Sequence, residues 1–147
     1  MNLTYEDVEI GKRYATDSHE ITVADIADFC RLTRDHHPLH TDDAYARRKG
    51  FSGIIAHGLY GLSLMEGLKT ELRLYEETSI ASLGWDKVKF LKPIVAGDVV
   101  HVEMDFTAKR ETSKGTAGVI TEAVRLIRAD GTVVIDAEHV SLIQKAA

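Results

Sequence analysis

The sequence has a single cysteine, Cys30, so no disulfide bond can form within the chain. A chain without disulfides is typical of a reducing compartment. Residues 1–7 contain neither a basic region nor the apolar core of a signal peptide, so no export signal is predicted. These observations predict a cytoplasmic protein. Cys30 falls on the apolar face of a predicted helix, and we interpret it as a packed core residue rather than a nucleophile.

Basic charge is also in the minority, with 18 Lys and Arg against 23 Asp and Glu and a net charge of −5. No dominant basic field exists to hold phosphates, which argues against a nucleic-acid partner. The longest apolar segment has about 15 residues and carries charged side chains, so it is too short to span a bilayer. We expect no membrane partner. With 147 residues, 44% of them hydrophobic, the chain predicts one folded domain over residues 1–147.

A carboxylate and an imidazole lie close together in the segment Thr33–His40. Asp35 and His40 are five residues apart, and a fully extended chain would hold them about 16 Å apart. Pro38 lies between them and predicts a turn, because it fixes its own φ angle and disfavours a helical conformation at His37. A turn can bring Asp35 and His40 together around one water as an acid–base pair. Residue types alone leave a second interpretation equally open, in which Asp35 caps local backbone and the histidines are surface polar groups.

The same segment is rich enough in histidine and aspartate to raise the question of a metal site. The residues concerned are His36, His37, His40, Asp42 and Asp43. Imidazole and carboxylate groups bind zinc and iron. Their spacing matches no strong metal motif, however, and Pro38 interrupts the helical His-x-x-x-His arrangement. We therefore expect no metal ion in this segment.

Gly58 opens an apolar segment, Leu59–Leu72, whose hydrophobic residues fall on nearly every face of a helical wheel. Such a helix is predicted to be buried. Its first N–H groups have no partner within the helix and lie at the positive end of the helix dipole. A ligand oxygen can approach the Gly58 amide closely, which is the chemistry of an oxyanion site. A glycine required only for a tight turn is an equally good interpretation.

The rest of the chain predicts one more helix of normal length, a short helix, and a set of strands. Thr22 and Asp25 form a variant capping box at the start of the first helix, and residues 42–49 form the short one. Val100–Ala108 alternates strictly between apolar and polar residues, which indicates a strand with one buried face. Gly115–Arg128 and Val133–Ile143 follow, joined by a hairpin turn at residues 129–132. This order favours an α+β fold with a curved antiparallel sheet.

Three ordered motifs resemble the MaoC-like dehydratase family, which includes the R-specific enoyl-CoA hydratases. They are Asp35-x-x-Pro38-x-His40, then Ala56-His57-Gly58 before the apolar helix, and then Phe90–Asp98. The resemblance covers about residues 5 to 143. It implies the hot-dog fold, a sheet wrapped around a long central helix. One departure is His37, which stands where the family usually has Asn.

The resemblance also implies a function, namely reversible hydration of a 2-enoyl thioester to an (R)-3-hydroxyacyl thioester. Asp35, His40 and the Gly58 N–H would be catalytic. His37, Pro38 and His57 would belong to the substrate site, where His57 would line the pocket or support the turn that precedes the apolar helix. The substrate would be an acyl-CoA or an acyl-carrier-protein thioester. No metal or other cofactor would be required, and coenzyme A would take part only as a portion of the substrate. The expected assembly is a homodimer, a dimer of dimers or a trimer of dimers. Two alternatives remain: a hot-dog thioesterase, for which Glu66 and Glu71 are the candidate carboxylates, and a non-catalytic acyl-thioester-binding protein.

Overall fold

The computed structural model describes all residues, 1–147. Its four α-helices are α1 (Val23–Thr33), α2 (Pro38–Thr41), α3 (Asp43–Arg48) and α4 (Gly58–Glu71). Its six strands are β1 (Arg13–Ala15), β2 (His19–Glu20), β3 (Ser79–Phe90), β4 (Val99–Glu111), β5 (Ala117–Arg128) and β6 (Val133–Gln144). The α+β class predicted from the sequence is therefore confirmed. None of the helices has the length and apolar character required to cross a membrane.

All the strands belong to one antiparallel sheet with the order β1-β4-β5-β6-β3, and β2 also pairs with β4. The alternation predicted on β4 holds from Val100 to Phe106, where every second side chain is buried. It ends at a bulge between Phe106 and Ala108. A bulge adds one residue to one strand, so the following side chains change faces, and Ala108 is exposed. The strand β5 lies in the middle of the sheet, and most of its residues on both faces are buried.

The long helix α4 packs against the sheet so closely that a side chain at Gly61 would not fit. A Cβ atom there would lie 2.6 Å from Ile135 Cδ1 and 2.8 Å from Ile94 Cδ1. Met65 and Leu68 extend the same buried face. The prediction that the whole helix is buried was wrong, since Leu59 is 63% exposed. The sheet of one chain covers only one side of the helix.

The helix α1 delivers Asp35 to the start of α4. The predicted capping box is present: Thr22 Oγ1 accepts from the Asp25 amide, and the Asp25 carboxylate accepts from the Thr22 amide. At the other end, Arg34 adopts a left-handed conformation with φ of 70°. This conformation stops the helix and turns the chain, so that Asp35 follows directly.

Candidate active site

Three polar side chains from different elements converge where α1 ends and α4 begins. Asp35 follows α1, His40 lies on α2, and His57 is the residue immediately before α4. One polar atom of each lies within 4.8 Å of the others. The chain thus brings Asp35 and His40 together, as the turn at Pro38 predicts. It adds His57, for which the sequence predicted a place in the pocket lining or a supporting role at the turn before α4.

The turn between Asp35 and His40 is a single turn of helix, with Pro38 at its first position. The His37 amide donates to Asp35 Oδ1 at 3.3 Å, and His37 Nδ1 accepts from the Leu39 amide at 3.1 Å. The imidazole therefore caps α2 in the way that a short polar side chain does. His37 and Pro38 are both exposed. Their visible contribution is to shape this turn, and their contact with substrate stays a prediction.

The protonation of His40 follows from its hydrogen bond. Its Nδ1 atom lies 2.7 Å from the carbonyl oxygen of Ile55. A carbonyl can only accept, so Nδ1 carries the proton and Nε2 is left to exchange a proton with a ligand. Burial lowers the pKa of His40 and the neighbouring His57 acts in the same direction, while the bond to Ile55 opposes them. The net effect is a lowered pKa, which favours the neutral imidazole near neutral pH.

His57 connects the other two side chains. It is only 4% exposed, and its ring stacks on that of His40 with centroids 3.7 Å apart and planes inclined by 24°. Its Nε2 lies 3.0 Å from the main-chain oxygen of Asp35 and 4.0 Å from Asp35 Oδ2. It also lies 3.6 Å from Cys30 Sγ. Because the Asp35 carbonyl accepts, we place the His57 proton on Nε2, and the buried Nδ1 has no hydrogen-bond partner.

The predicted oxyanion position, Gly58, is the first residue of α4. Its amide donates to no acceptor in the protein. A Cβ atom at this position would lie 2.8 Å from ring atoms of Phe90, so the glycine also permits a close approach by that ring. Gly58 and Phe90 line a cavity of about 210 Å³ together with residues 91–94 and Ile135.

The possible metal ligands are not those suggested by the sequence. Asp42 caps α3 through the Tyr45 amide, and Asp43 pairs with Arg47, with 2.6 Å between Oδ2 and Nε. The cluster with suitable geometry is instead Asp35, His40 and His57, because the chain fold brings His57 in from a distant position. One carboxylate and two imidazoles form a donor set suited to zinc or iron. The expectation of no metal stays a prediction, to be tested with a chelator.

The chain is similar to a known protein family and to several named proteins. Residues 7–125 match a family model described as the MaoC-like domain. The (R)-specific enoyl-CoA hydratase of Aeromonas caviae is 31% identical over 138 residues, which is 94% of this chain and 97% of that protein. The protein MaoC of Klebsiella aerogenes is 30% identical over 110 residues, but the match spans only 32% of its length.

Among solved structures, the monoamine oxidase regulatory protein from Archaeoglobus fulgidus superimposes with a TM-score of 0.91 at 30% identity. The match covers 99% of this chain and 97% of that one. The helix and sheet arrangement described above is therefore shared over essentially the whole chain.

Proposed function

Because this chain belongs to the family of MaoC-like domains, we propose that it catalyses the reversible hydration of 2-enoyl thioesters to (R)-3-hydroxyacyl thioesters. The fold agrees with this assignment, since the neighbouring structures share the predicted hot-dog arrangement. The named activity of the Aeromonas caviae relative, which aligns almost from end to end, supports the reaction and its stereochemistry.

The observation that carries the proposal is the distance between the acid and the base. Polar atoms of Asp35 and His40 lie within 4.8 Å of one another. One water that makes hydrogen bonds of about 2.8 Å to both groups, at a tetrahedral angle, spans about 4.6 Å. The carboxylate and the imidazole are therefore close enough for a single water to bridge them.

Each group has a defined part in the reaction. One member of the pair takes a proton from the water as its oxygen bonds to C3 of the enoyl group, and the other delivers a proton to C2. Because His40 Nδ1 donates to the carbonyl oxygen of Ile55, His40 can exchange a proton with the substrate or water only through Nε2. The Gly58 N–H donates a hydrogen bond to the thioester oxygen as negative charge develops there, and an oxyanion donor of this kind is worth about 3–4 kcal/mol. His57 holds the main chain of Asp35 and packs on His40.

The test is the loss of enoyl-thioester absorbance with crotonyl-CoA. We expect Asp35→Asn and His40→Gln each to lower kcat/KM by at least about 10²-fold, because each removes one proton-transfer group and keeps its approximate size. Asp28→Asn and His36→Gln are matched controls, since both residues are exposed. Full activity in both active-site variants would place the chemistry on other residues.

The same assay separates the two alternatives. Thioester hydrolysis would release free thiol, which a thiol reagent detects alongside the absorbance. Glu71 is the last residue of α4 and is exposed. Glu66 lies eight residues beyond Gly58, or about 12 Å along the helix. Neither carboxylate belongs to the cluster of Asp35 and His40. An acyl-thioester-binding protein would bind crotonyl-CoA without consuming it.

We further propose that the enzyme is a homodimer at least and acts in the cytoplasm on acyl-CoA or carrier-protein thioesters. Support for the dimer comes from β3, which lies at the edge of the sheet. It presents exposed apolar side chains, Ile80, Leu83 and Phe90, the last being 54% exposed. Long apolar edge strands rarely remain unpaired. Sedimentation analysis at micromolar concentration should show a dimer that Leu83→Asp weakens, and a monomeric wild type would contradict this.

A further inference from the structure

Two basic side chains at the end of α3 have no acidic partner. Arg48 is the last residue of α3, Lys49 follows it, and both are exposed. No ion pair of the structure includes either of them. Because the chain as a whole carries a net charge of −5, two neighbouring cations without a carboxylate form a local exception.

The ring of Tyr45 holds both cations beside it. Arg48 Cζ lies 5.6 Å and Lys49 Nζ lies 5.4 Å from the centroid of that ring. A cation at this distance is attracted to the aromatic ring, while the two like charges repel each other. An anion that accepts hydrogen bonds from both groups relieves this repulsion. Guanidinium and ammonium groups both bind phosphate in this way, so the two side chains form a candidate phosphate site.

A row of aromatic rings connects these cations with the candidate active site. The ring centroids of His40 and His37 are 6.1 Å apart, and those of His37 and Tyr45 are 6.0 Å apart. Three steps of about 6 Å therefore lead from the His40 ring to the two cations. His37 Nδ1 accepts from the Leu39 amide, so its ring proton is on Nε2 and can be donated to a ligand on this path.

The length of the path suits the arm of a phosphopantetheine thioester. Such an arm spans about 15 Å from its sulfur to its phosphorus when extended, at about 3.5 Å for every three bonds of an extended chain. With its thioester beside His40, an arm of this length reaches Arg48 and Lys49. The amide carbonyls along the arm can accept a hydrogen bond, and His37 Nε2 is a donor between the two ends.

The other charges of α3 distinguish a small carrier from a protein carrier. Asp43 and Arg47 pair with each other at 2.6 Å, so they add no net charge to the surface. Only Arg48 and Lys49 remain, which suits a compact group of phosphates. A stable interface with a protein would cover about 800 Å² on this chain, far more than two side chains present.

We propose that Arg48 and Lys49 bind the phosphates of a coenzyme A thioester, and that the pantetheine arm passes Tyr45 and His37 on its way to His40. The inference rests on the proposed function, since hydration places the thioester next to His40. It selects coenzyme A from the two carriers considered above and assigns the residues that recognise it.

The double variant Arg48→Gln/Lys49→Gln tests this assignment with two substrates. Crotonyl-CoA carries the phosphates, and crotonyl-pantetheine lacks them. We expect the variant to raise KM for crotonyl-CoA about 10-fold at low ionic strength and to keep kcat, because the lost contacts are the same in the ground state and the transition state. KM for crotonyl-pantetheine should not change. Added salt should raise the wild-type KM for crotonyl-CoA, since it screens exposed charges.

The matched control is Arg110→Gln/Lys114→Gln. It also removes one arginine and one lysine from exposed positions, at the end of β4 and in the loop that follows. This variant should keep the wild-type KM for both thioesters, which separates a local contact from a change in net charge.

Calorimetric titration with coenzyme A and with pantetheine gives a readout that needs no turnover. Coenzyme A should bind the wild type about 10-fold more tightly than pantetheine does, and the double variant should bind the two alike. If the wild type consumes neither thioester, the hydration proposal fails and this titration still decides the role of the two cations. Their assignment is overturned if the double variant keeps the wild-type KM and Kd, if the control variant weakens binding equally, or if a crotonyl carrier-protein thioester has the lower KM.

Discussion

Replacement of His57 by phenylalanine tests how the candidate active site is held together. Phenylalanine keeps an aromatic ring against His40 and next to Phe29, whose ring centroid is 4.8 Å from that of His57. It removes the hydrogen bond of 3.0 Å to the main-chain oxygen of Asp35. The loss of one such bond should lower the free energy of unfolding by about 1 kcal/mol. The main chain that carries the Asp35 carboxylate also loses its anchor, so we expect kcat to fall about 10-fold, since small displacements of reacting groups are costly.

The pH profile of the same variant separates a change in electrostatics from a loss of packing. His57 contributes to the lowered pKa of His40, so its removal should raise that pKa. Where His40 is the member of the pair that takes the proton from water, it must be neutral, so activity is lost as the pH falls through its pKa. The acidic limb of the kcat/KM profile should therefore move to higher pH. His36→Phe, an exposed histidine of the same segment, should leave the limb in place. The reasoning is refuted if His57→Phe keeps the wild-type kcat and its acidic limb stays in place or moves to lower pH.

Three further predictions follow from the described contacts. Gly61→Ala should lower the free energy of unfolding by about 1–3 kcal/mol, because its Cβ would overlap Ile135. The control, Gly67→Ala on the same helix, meets no atom within 4 Å and should raise the free energy of unfolding by about 1 kcal/mol; urea titration measures both. Burial lowers the pKa of His40 below its ordinary value of 6.5, so near that pH the unfolded chain binds more protons than the folded one. The free energy of unfolding should therefore decrease as the pH falls below about 6.5, and His40→Gln should remove that part of the decrease. Dialysis against a chelator should leave crotonyl-CoA hydration unchanged, and a loss that zinc restores would contradict the expectation of a metal-free site.

The sequence was most informative where the determining interactions are local. The Thr22 and Asp25 capping box lies within four residues, and the alternation of β4 depends only on the pleat of one strand. Both were predicted and both are present. The bulge after Phe106 was not predicted, because it arises from the pairing of β4 with β5. The turn at Pro38 was predicted as a feature that brings Asp35 and His40 together, and the structure shows it as one turn of helix.

Interactions between distant segments were beyond the sequence. His57 was expected to line the pocket or to support the turn before α4, because nothing in its local pattern shows that its ring stacks on His40. Lys69 on α4 donates to Glu122 on β5 and to His139 on β6, residues up to 70 positions away. Of these three residues only Lys69 gave a signal in the sequence, as one of three charged residues in the predicted core helix.

The burial of Cys30 beside His57 makes the thiol a reporter of local opening. Cys30 is the only cysteine of the chain. Burial, together with the nearby Asp35, raises the pKa of its thiol, so little reactive thiolate forms at neutral pH. A thiol reagent can therefore reach it only when α1 separates from the start of α4. With fast reclosing, the labelling rate of the native protein reports the population in which the acid–base cluster has come apart, without any added probe or introduced residue.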